Sequence, residues 1–494
     1  MADYVLGIDQ STQGTKALLF DDSGKLLCRT DLAHKQMVDE RGWVEHDPEE
    51  IYANTVQVVK NLVEKAGIHK SEIRVLGISN QRETAMVWDR ATGKPVYNAV
   101  VWQCARGASI CEEIEKEHAG AAIMVREHTG LALSPYFSAA KIAWVLRNVE
   151  GAAARAEKGE LCCGTIDSWL VYRLTGGKEF RTDYSNASRT QMFHIGKLQW
   201  DEEVCALFGI PVKCLAEVTD SDGLYGETDF EGFLDDPIPI HGVLGDSHGA
   251  LFGQGCLSKG MVKATYGTGS SIMMNIGEKP VYSDRIVTSL AWSMGGNVNY
   301  VLEGNINYTG AVITWLKDDL QLIQSPGETQ ELAVQANPQD TTYLVPAFSG
   351  LGAPYWDSDA KAVFYGMTRT TRKAELVKAG LESIAYQITD IIEDMREESG
   401  IAIGELRVDG GPTKNAYLMQ FQSDMAQIPV QVPSEEELSG IGAAYAAGIA
   451  EGIYCLDAVF DGMKRRTFVP AMDDQDRAKK YNGWKEAVRK SLTR

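Results

Sequence analysis

Two stretches of this chain share one layout. YVLGIDQSTQGTKALLF at 4–20 and MVKATYGTGSSIMMNIG at 261–277 each read as two apolar strands joined by a turn rich in Gly, Ser and Thr. One such hairpin opens each half of the 494 residues, so two domains are expected, with their mouths at 9–16 and 267–271. The first turn carries Asp9, Thr12, Gln13, Gly14 and Lys16; the second runs Gly267-Thr268-Gly269-Ser270-Ser271. Hydroxyls and backbone N–H groups in such turns can grip phosphate oxygens, and glycine lets the backbone approach them. Two facing turns would clamp a nucleotide's phosphates between the domains. Asp9 is placed to hold a hydrated Mg2+ through water, and Lys16 adds a positive charge. For either turn alone, a polar hairpin tip is the competing reading.

Between the halves, IPIHGVLGDSHGALFGQG runs as an apolar strand into Gly245-Asp246 and then a small-residue helix. A carboxylate at that strand end can accept a proton from a substrate hydroxyl when a phosphoryl donor lies opposite; the plainer role is a helix cap. The acidic, turn-rich stretch 220–240 leads into it. The domain junction is therefore expected at about 245–255, dividing the chain into 1–250 and 251–494.

Other stretches supply candidate ligand contacts. A buried strand at 73–89 breaks at Asn80-Gln81-Arg82-Glu83-Thr84, where Arg82 donates and Glu83 accepts, as a polyhydroxyl ligand requires; a solvated turn with a local ion pair is the alternative. Trp102 and Arg106 in VVWQCAR, and Tyr136 in LSPYFSAAKIAWVL, are candidates for pocket walls, although each aromatic alone suits a core equally. LRVDGGPTKNAYLMQFQSDM at 406–425 is a strand, a Gly410-Gly411 turn and a helix whose N-terminus attracts phosphate or adenosine, with Asn415 one turn in. Residues 47–65 form a helix capped by Asp47, with Pro48 at its first position and Glu50 closing a capping box. Residues 298–320 read as strand, turn and helix with Gly310 at the helix start, 341–366 as a long ordered loop, and 373–399 as an amphipathic helix. The Gly/Ala helix at 439–452 suits close packing, and 161–195 reads as scaffold beside a ligand face.

A formal net charge of -20 argues against nucleic acid or an anionic membrane as partner. The nine cysteines contain no C-x-x-C pair, so neither a disulfide framework nor a zinc site is indicated by spacing. MADYVLGID enters a strand without a basic and apolar leader, and no apolar run is long enough to span a bilayer. A reduced, cytoplasmic protein is expected.

The stretches GISNQRETAMVWDRATGKPVYNAVVWQC, TDYSNASRTQMF, VPAFSGLGAPYWD and LRVDGG, in this order, resemble the FGGY carbohydrate kinases, and among them the glycerol kinases, over essentially the whole chain. The resemblance implies an α/β fold of two actin-like or hexokinase-like (ribonuclease H-like) domains with the active site in the cleft between them. It implies MgATP as donor, a hydroxyl of a small polyol or sugar as acceptor, and a dimer or tetramer. It places Asp246 as general base, with Arg82, Glu83, Trp102 and Tyr136 lining the acceptor site. Thr12, Gln13, Gly14 and Lys16 would meet phosphates, Thr268, Gly310, Gly411 and Asn415 would surround the nucleotide, and Asp9 would sit nearest Mg2+.

The chain departs from glycerol kinases at several of these positions. Ser247 replaces a glutamine that touches the far end of glycerol, Ser271 replaces an aromatic, Ala105-Arg106 replaces paired arginines, and Thr314 stands where glutamine is usual. The first turn has Gln13-Gly14 in place of small hydroxyl residues. Less bulk at 247 and 271 suggests an acceptor longer than glycerol, such as a tetritol, a tetrulose or a pentulose. A true glycerol kinase making glycerol 3-phosphate is the alternative, followed by a nucleotide-driven scaffold or chaperone on the same fold and a non-catalytic sugar sensor. EGFLDDP at 231–237 is acidic where some glycerol kinases bind a regulatory sugar bisphosphate, so inhibition by that anion is not expected.

Overall fold

The computed structural model describes residues 3–493. Its first sheet has six strands in the order Glu227–Thr228, Ile238–Gly245, Ile73–Asn80, Tyr4–Gln10, Gly14–Phe20 and Leu26–Ala33. Its second has seven: Val287–Met294, Asn297–Ile306, Ser270–Gly277, Val262–Tyr266, Leu406–Asp409, Val430–Pro433 and Arg465–Phe468. The likeness of the two hairpins extends to whole sheets. In each, the opening strand pairs antiparallel with its hairpin partner and parallel with a later strand, and that strand pairs parallel with the next.

Strand periodicity explains the layering. Leu6, Ile8, Ala17 and Leu19 join the core under the helix Pro48–Ala66, whereas Val5, Leu18, Phe20 and Val75 join the core under Leu438–Ala450. The first sheet is therefore covered on both faces, one of them by a helix from the far end of the chain. Asp47 caps the helix at 48 through Glu49 N–H, but the expected capping box is absent: Glu50 instead accepts from the backbone of Lys35 at 3.2 Å. The loop 341–366 contains a short antiparallel pair, Tyr343–Val345 with Val363–Tyr365.

The strand Ile238–Gly245 runs into the helix Asp246–Gly253, which packs on Leu438–Ala450. The two backbones approach so closely that a Cβ built on Gly442 would overlap the carbonyl oxygen of Gly249. Small residues bring the two helices together. Substituting Gly442→Ala is expected to cost roughly 1–3 kcal/mol by overpacking, read as a lower midpoint in chemical denaturation. An unchanged midpoint would mean the seam is looser than this.

Candidate active site

Asp246 is the first residue of its helix, and its carboxylate is 37% exposed. Arg82 Nε donates to its Oδ1 at 3.1 Å, and the N–H of Ser247 donates to the same oxygen at 2.6 Å. Oδ2 forms no hydrogen bond among the described residues, so it is free to take a proton. The guanidinium of Arg82 is committed on its other side: NH1 and NH2 each donate at 2.9 Å to the two carboxylate oxygens of Glu303, on a strand of the second sheet. Arg189 lies 3.0 Å from Glu303 and donates through Nε to Glu83 at 2.6 Å. Asp246, Arg82, Glu303, Arg189 and Glu83 thus form one ionic chain that crosses from one sheet to the other. Burial opposes the charge on Glu303, but Arg189 and Arg82 outweigh it and hold the carboxyl well below the usual carboxylate range.

Arg82 and Glu83 are not the local ion pair of a solvated turn; both are buried and each is paired to a distant partner. Glu83 sits at φ 59°, in the left-handed region, a strained conformation for a residue with a side chain that the surrounding fold must hold in place. Trp102 meets Tyr136 edge-on, ring centroids 5.7 Å apart, and donates Nε1–H to Thr12 Oγ1 at 2.9 Å. The indole therefore ties Tyr136 to the first Gly/Ser/Thr turn. Burial raises the Tyr136 phenol pKa, so the ring stays neutral. Lys141 steadies the loop bearing it, donating to the carbonyls of Pro135 at 2.6 Å, Phe137 at 3.2 Å, and Tyr136. Ser271 Oγ lies 3.5 Å from Glu303, and Ser247 adjoins Asp246, so both serines belong to this region. Arg106 does not. Its guanidinium sits between Trp43 and Trp144 and donates to Glu45 at 2.6 Å, so it serves the core behind the pocket.

Asp9 is buried and accepts from Ser79 Oγ at 3.0 Å. Burial, with smaller contributions from Asp246 and Glu437, raises its pKa to about 6 against the pull of Lys16. Lys16 Nζ donates to Glu437 at 2.6 Å, and Arg29 pairs with the same carboxylate. Gly14 has a reason other than ligand approach: a Cβ there would overlap the carbonyl of Leu32 on the neighbouring strand. Gln13 is exposed at the turn tip. The second turn is tied to the helix at 310, because Thr268 O accepts from the N–H groups of Thr309 and Ala311 at 2.9 and 3.0 Å. Gly310, Thr314, Gly411 and Asn415 line one cavity of about 700 Å³, with Ile313, Leu381 and Leu418 as apolar walls. Gly411 also lines an adjoining cavity of about 750 Å³ together with Lys16 and Glu437. A flat apolar group in the first and an anionic tail reaching the second fit this pair. Asn415 is not one turn into its helix but at the cap: Oδ1 accepts from Leu418 N–H and Nδ2 donates to Thr329 Oγ1, both at 3.0 Å.

Sequence reading missed Arg189 and Glu303. Arg189 lies within TDYSNASRTQMF, which carried family likeness without a role, and Glu303 is a lone acid in an apolar strand. That lone acid was the available signal, since a charge in a buried strand needs a partner.

Two substitutions test these electrostatics. Glu303→Gln leaves Arg82 and Arg189 short of counter-charge and is expected to cost about 3–5 kcal/mol in denaturant unfolding; a change within error would show the ionic chain is not structural. Folded Asp9 keeps its proton up to about 6, whereas an exposed carboxyl loses it near 3.8, so its ionised form costs stability above that window and nothing below it. Asp9→Asn should stabilise the nucleotide-free, chelator-treated protein by on the order of 2–3 kcal/mol above pH 6, with the gain fading as the pH falls toward 3.8. Thermal unfolding across pH reads this directly, and a variant less stable than the parent above pH 6 contradicts it.

The geometry has close counterparts. The N-terminal domain of the FGGY family of carbohydrate kinases matches residues 4–253, and the family's C-terminal domain matches residues 262–451. The chain is similar to glycerol kinase 1 of Thermotoga maritima, 51% identical over 99% of this chain and 100% of the relative. It is also similar to a glycerol kinase of Thermoanaerobacter pseudethanolicus, 47% identical over 100% of this chain and 99% of the relative. Among solved structures, Plasmodium falciparum glycerol kinase with ADP superposes with a TM-score of 0.94 at 35% identity, covering 100% of this chain and 99% of that one. These likenesses leave the scaffold and chaperone alternatives without support. No helix among the described residues is long and apolar enough to cross a membrane. With its two related sheets and full-length likeness across both, the chain belongs to the FGGY family of carbohydrate kinases, ATP-dependent phosphotransferases of two actin-like domains.

Proposed function

We propose that this chain phosphorylates a terminal hydroxyl of glycerol, with MgATP as donor and Asp246 as general base. The observation that carries the reading is the likeness to glycerol kinases at 46–51% identity along the whole chain. It favours glycerol over the longer acceptor that the sequence departures suggest. The acceptor lies against Trp102 and Tyr136, with Arg82 and Glu83 addressing its hydroxyls. Oδ2 of Asp246 takes the proton as the hydroxyl oxygen attacks, while Arg82 and the Ser247 N–H hold Oδ1 and so fix the angle of the base. Adenosine occupies the cavity of Gly310, Thr314, Gly411 and Asn415, and the phosphates extend toward Thr12, Gln13, Gly14, Lys16 and Thr268.

The residues around Asp9 suit a divalent cation. Its buried carboxylate stands near Asp246 and Glu437, and Lys16 alone lowers its pKa as a neighbouring charge, so the place favours added positive charge. Asp9 would hold Mg2+ through water, and the ion would neutralise charge on the phosphoryl oxygens. The same reading places the hinge at 245–255 and expects a cytoplasmic dimer or tetramer.

A second reading, a tetritol, tetrulose or pentulose acceptor, is favoured by Ser247 and Ser271 lying beside the Arg82–Glu303 pair, where larger side chains would shorten the pocket. An ADP-release assay with glycerol, erythritol, threitol, erythrulose, xylulose and ribulose separates the two. Highest kcat/KM on glycerol supports the first; a longer acceptor in front supports the second. Asp246→Asn should lower kcat by about 10²–10⁴-fold, and retention of most turnover would remove Asp246 from the role of base.

A further inference from the structure

Outside the cleft, three side chains from separate elements converge. His128 lies in the last turn of the helix Ala121–Thr129. His194 ends the strand Phe193–His194, which turns back into Gln199–Trp200, and Asp201 follows as the cap of the helix Glu202–Phe208. The N–H of Ile195 donates to the carbonyl of His128 at 2.9 Å, locking the helix end to the hairpin. His128 Nδ1 lies 2.8 Å from Asp201 Oδ2, and the two imidazoles stack with centroids 4.7 Å apart. One ligating atom from each residue lies within 4.8 Å of the other two.

We infer that His128, His194 and Asp201 form a binding site for a transition-metal dication such as Zn2+, separate from the Mg2+ place beside Asp9. Two imidazoles and one carboxylate are a donor set for Zn2+ or Co2+, whereas Mg2+ and Ca2+ favour oxygen. Ligands at Zn–N distances stand roughly 3.3 Å apart around a tetrahedron; here His128 Nδ1 and Asp201 Oδ2 are 2.8 Å apart, and the three ligating atoms all lie within 4.8 Å of one another. Small ring rotations suffice, because both histidines are only half-buried. The carboxylate is already aimed: Asp201 Oδ1 accepts from Val204 N–H at 2.9 Å, leaving Oδ2 for the site. His194 Nδ1 accepts from the N–H groups of Gly196 and Lys197 at 3.2 and 3.3 Å, whereas its Nε2 forms no hydrogen bond among the described residues and is the nitrogen open to a metal. Three protein ligands leave a fourth position for water.

The site also has a mechanical setting. Tyr300 Oη donates to Ile195 O at 2.7 Å, Thr288 N–H donates to Gly130 O at 3.1 Å, and Arg126 pairs with Asp284. The segments that would hold the metal are thus among those through which the first half rests on the strands Val287–Met294 and Asn297–Ile306 and the residues before them. Metal binding there stiffens a contact between the halves remote from the chemistry.

The test uses the full chain, stripped with chelator, dialysed and kept free of nucleotide. Co2+ is titrated in and followed by visible absorption, and Zn2+ by calorimetry and thermal unfolding. One Co2+ per chain with the intense bands of four-coordinate N/O ligation, and a rise in Tm with Zn2+, are expected. His194→Gln should weaken binding by at least about 100-fold, beyond what loss of a supporting contact costs, while Asp9→Asn should leave it unchanged. His128→Gln repeats the test on the second ligand, and His194→Gln carries it alone if that variant does not fold. Absence of the Co2+ bands, equal binding in His194→Gln, or loss of binding in Asp9→Asn each overturns the site.

Discussion

Glu303 has no neighbour in its own strand that can neutralise it, and its side chain is fully buried. Two guanidiniums from the first half of the chain make it tenable, Arg82 with a bidentate pair at 2.9 Å and Arg189 at 3.0 Å. Removing such charges from water costs several kcal/mol each, and only good pairing geometry offsets that cost. The cleft inherits its shape from this requirement. Arg82 cannot serve Glu303 without presenting Nε to Asp246, and Arg189 cannot serve Glu303 without orienting Glu83. Asp246 and Glu83 are positioned by the same buried carboxylate, contributed by the opposite half.

The second constraint is steric. Glycines let the helix at 246 and the helix at 438 touch backbone to backbone, which fixes where the strand end carrying Asp246 meets the second half. The Lys16–Glu437 pair lies at the head of the same C-terminal helix, so the first Gly/Ser/Thr turn and the helix packing are linked through it.

Features that depend on short stretches are legible in the amino-acid order alone. The hairpins at 4–20 and 261–277, the capped helix at 48, the helix at 373–399 and the strand-to-helix passage at Asp246 follow from side-chain period, turn residues and caps within about twenty residues. The misreadings have physical causes of their own. Glu50 finds a backbone donor outside its helix, Asn415 becomes a cap because the Gly411–Lys414 turn delays the helix start, and Arg106 packs against the Trp43–Trp144 pair, which spacing does not reveal.

By itself, the sequence determined the two-domain α/β plan and the kinase family, because each is written in contiguous motifs. Only the tertiary structure decided which charges meet. Arg82 and Glu303 are 221 residues apart, and Arg82 and Asp246 are 164 apart. Such pairs exist only once two sheets are docked in one register, and the docking is set by close-packed glycines and by the cost of leaving any one of these buried charges alone.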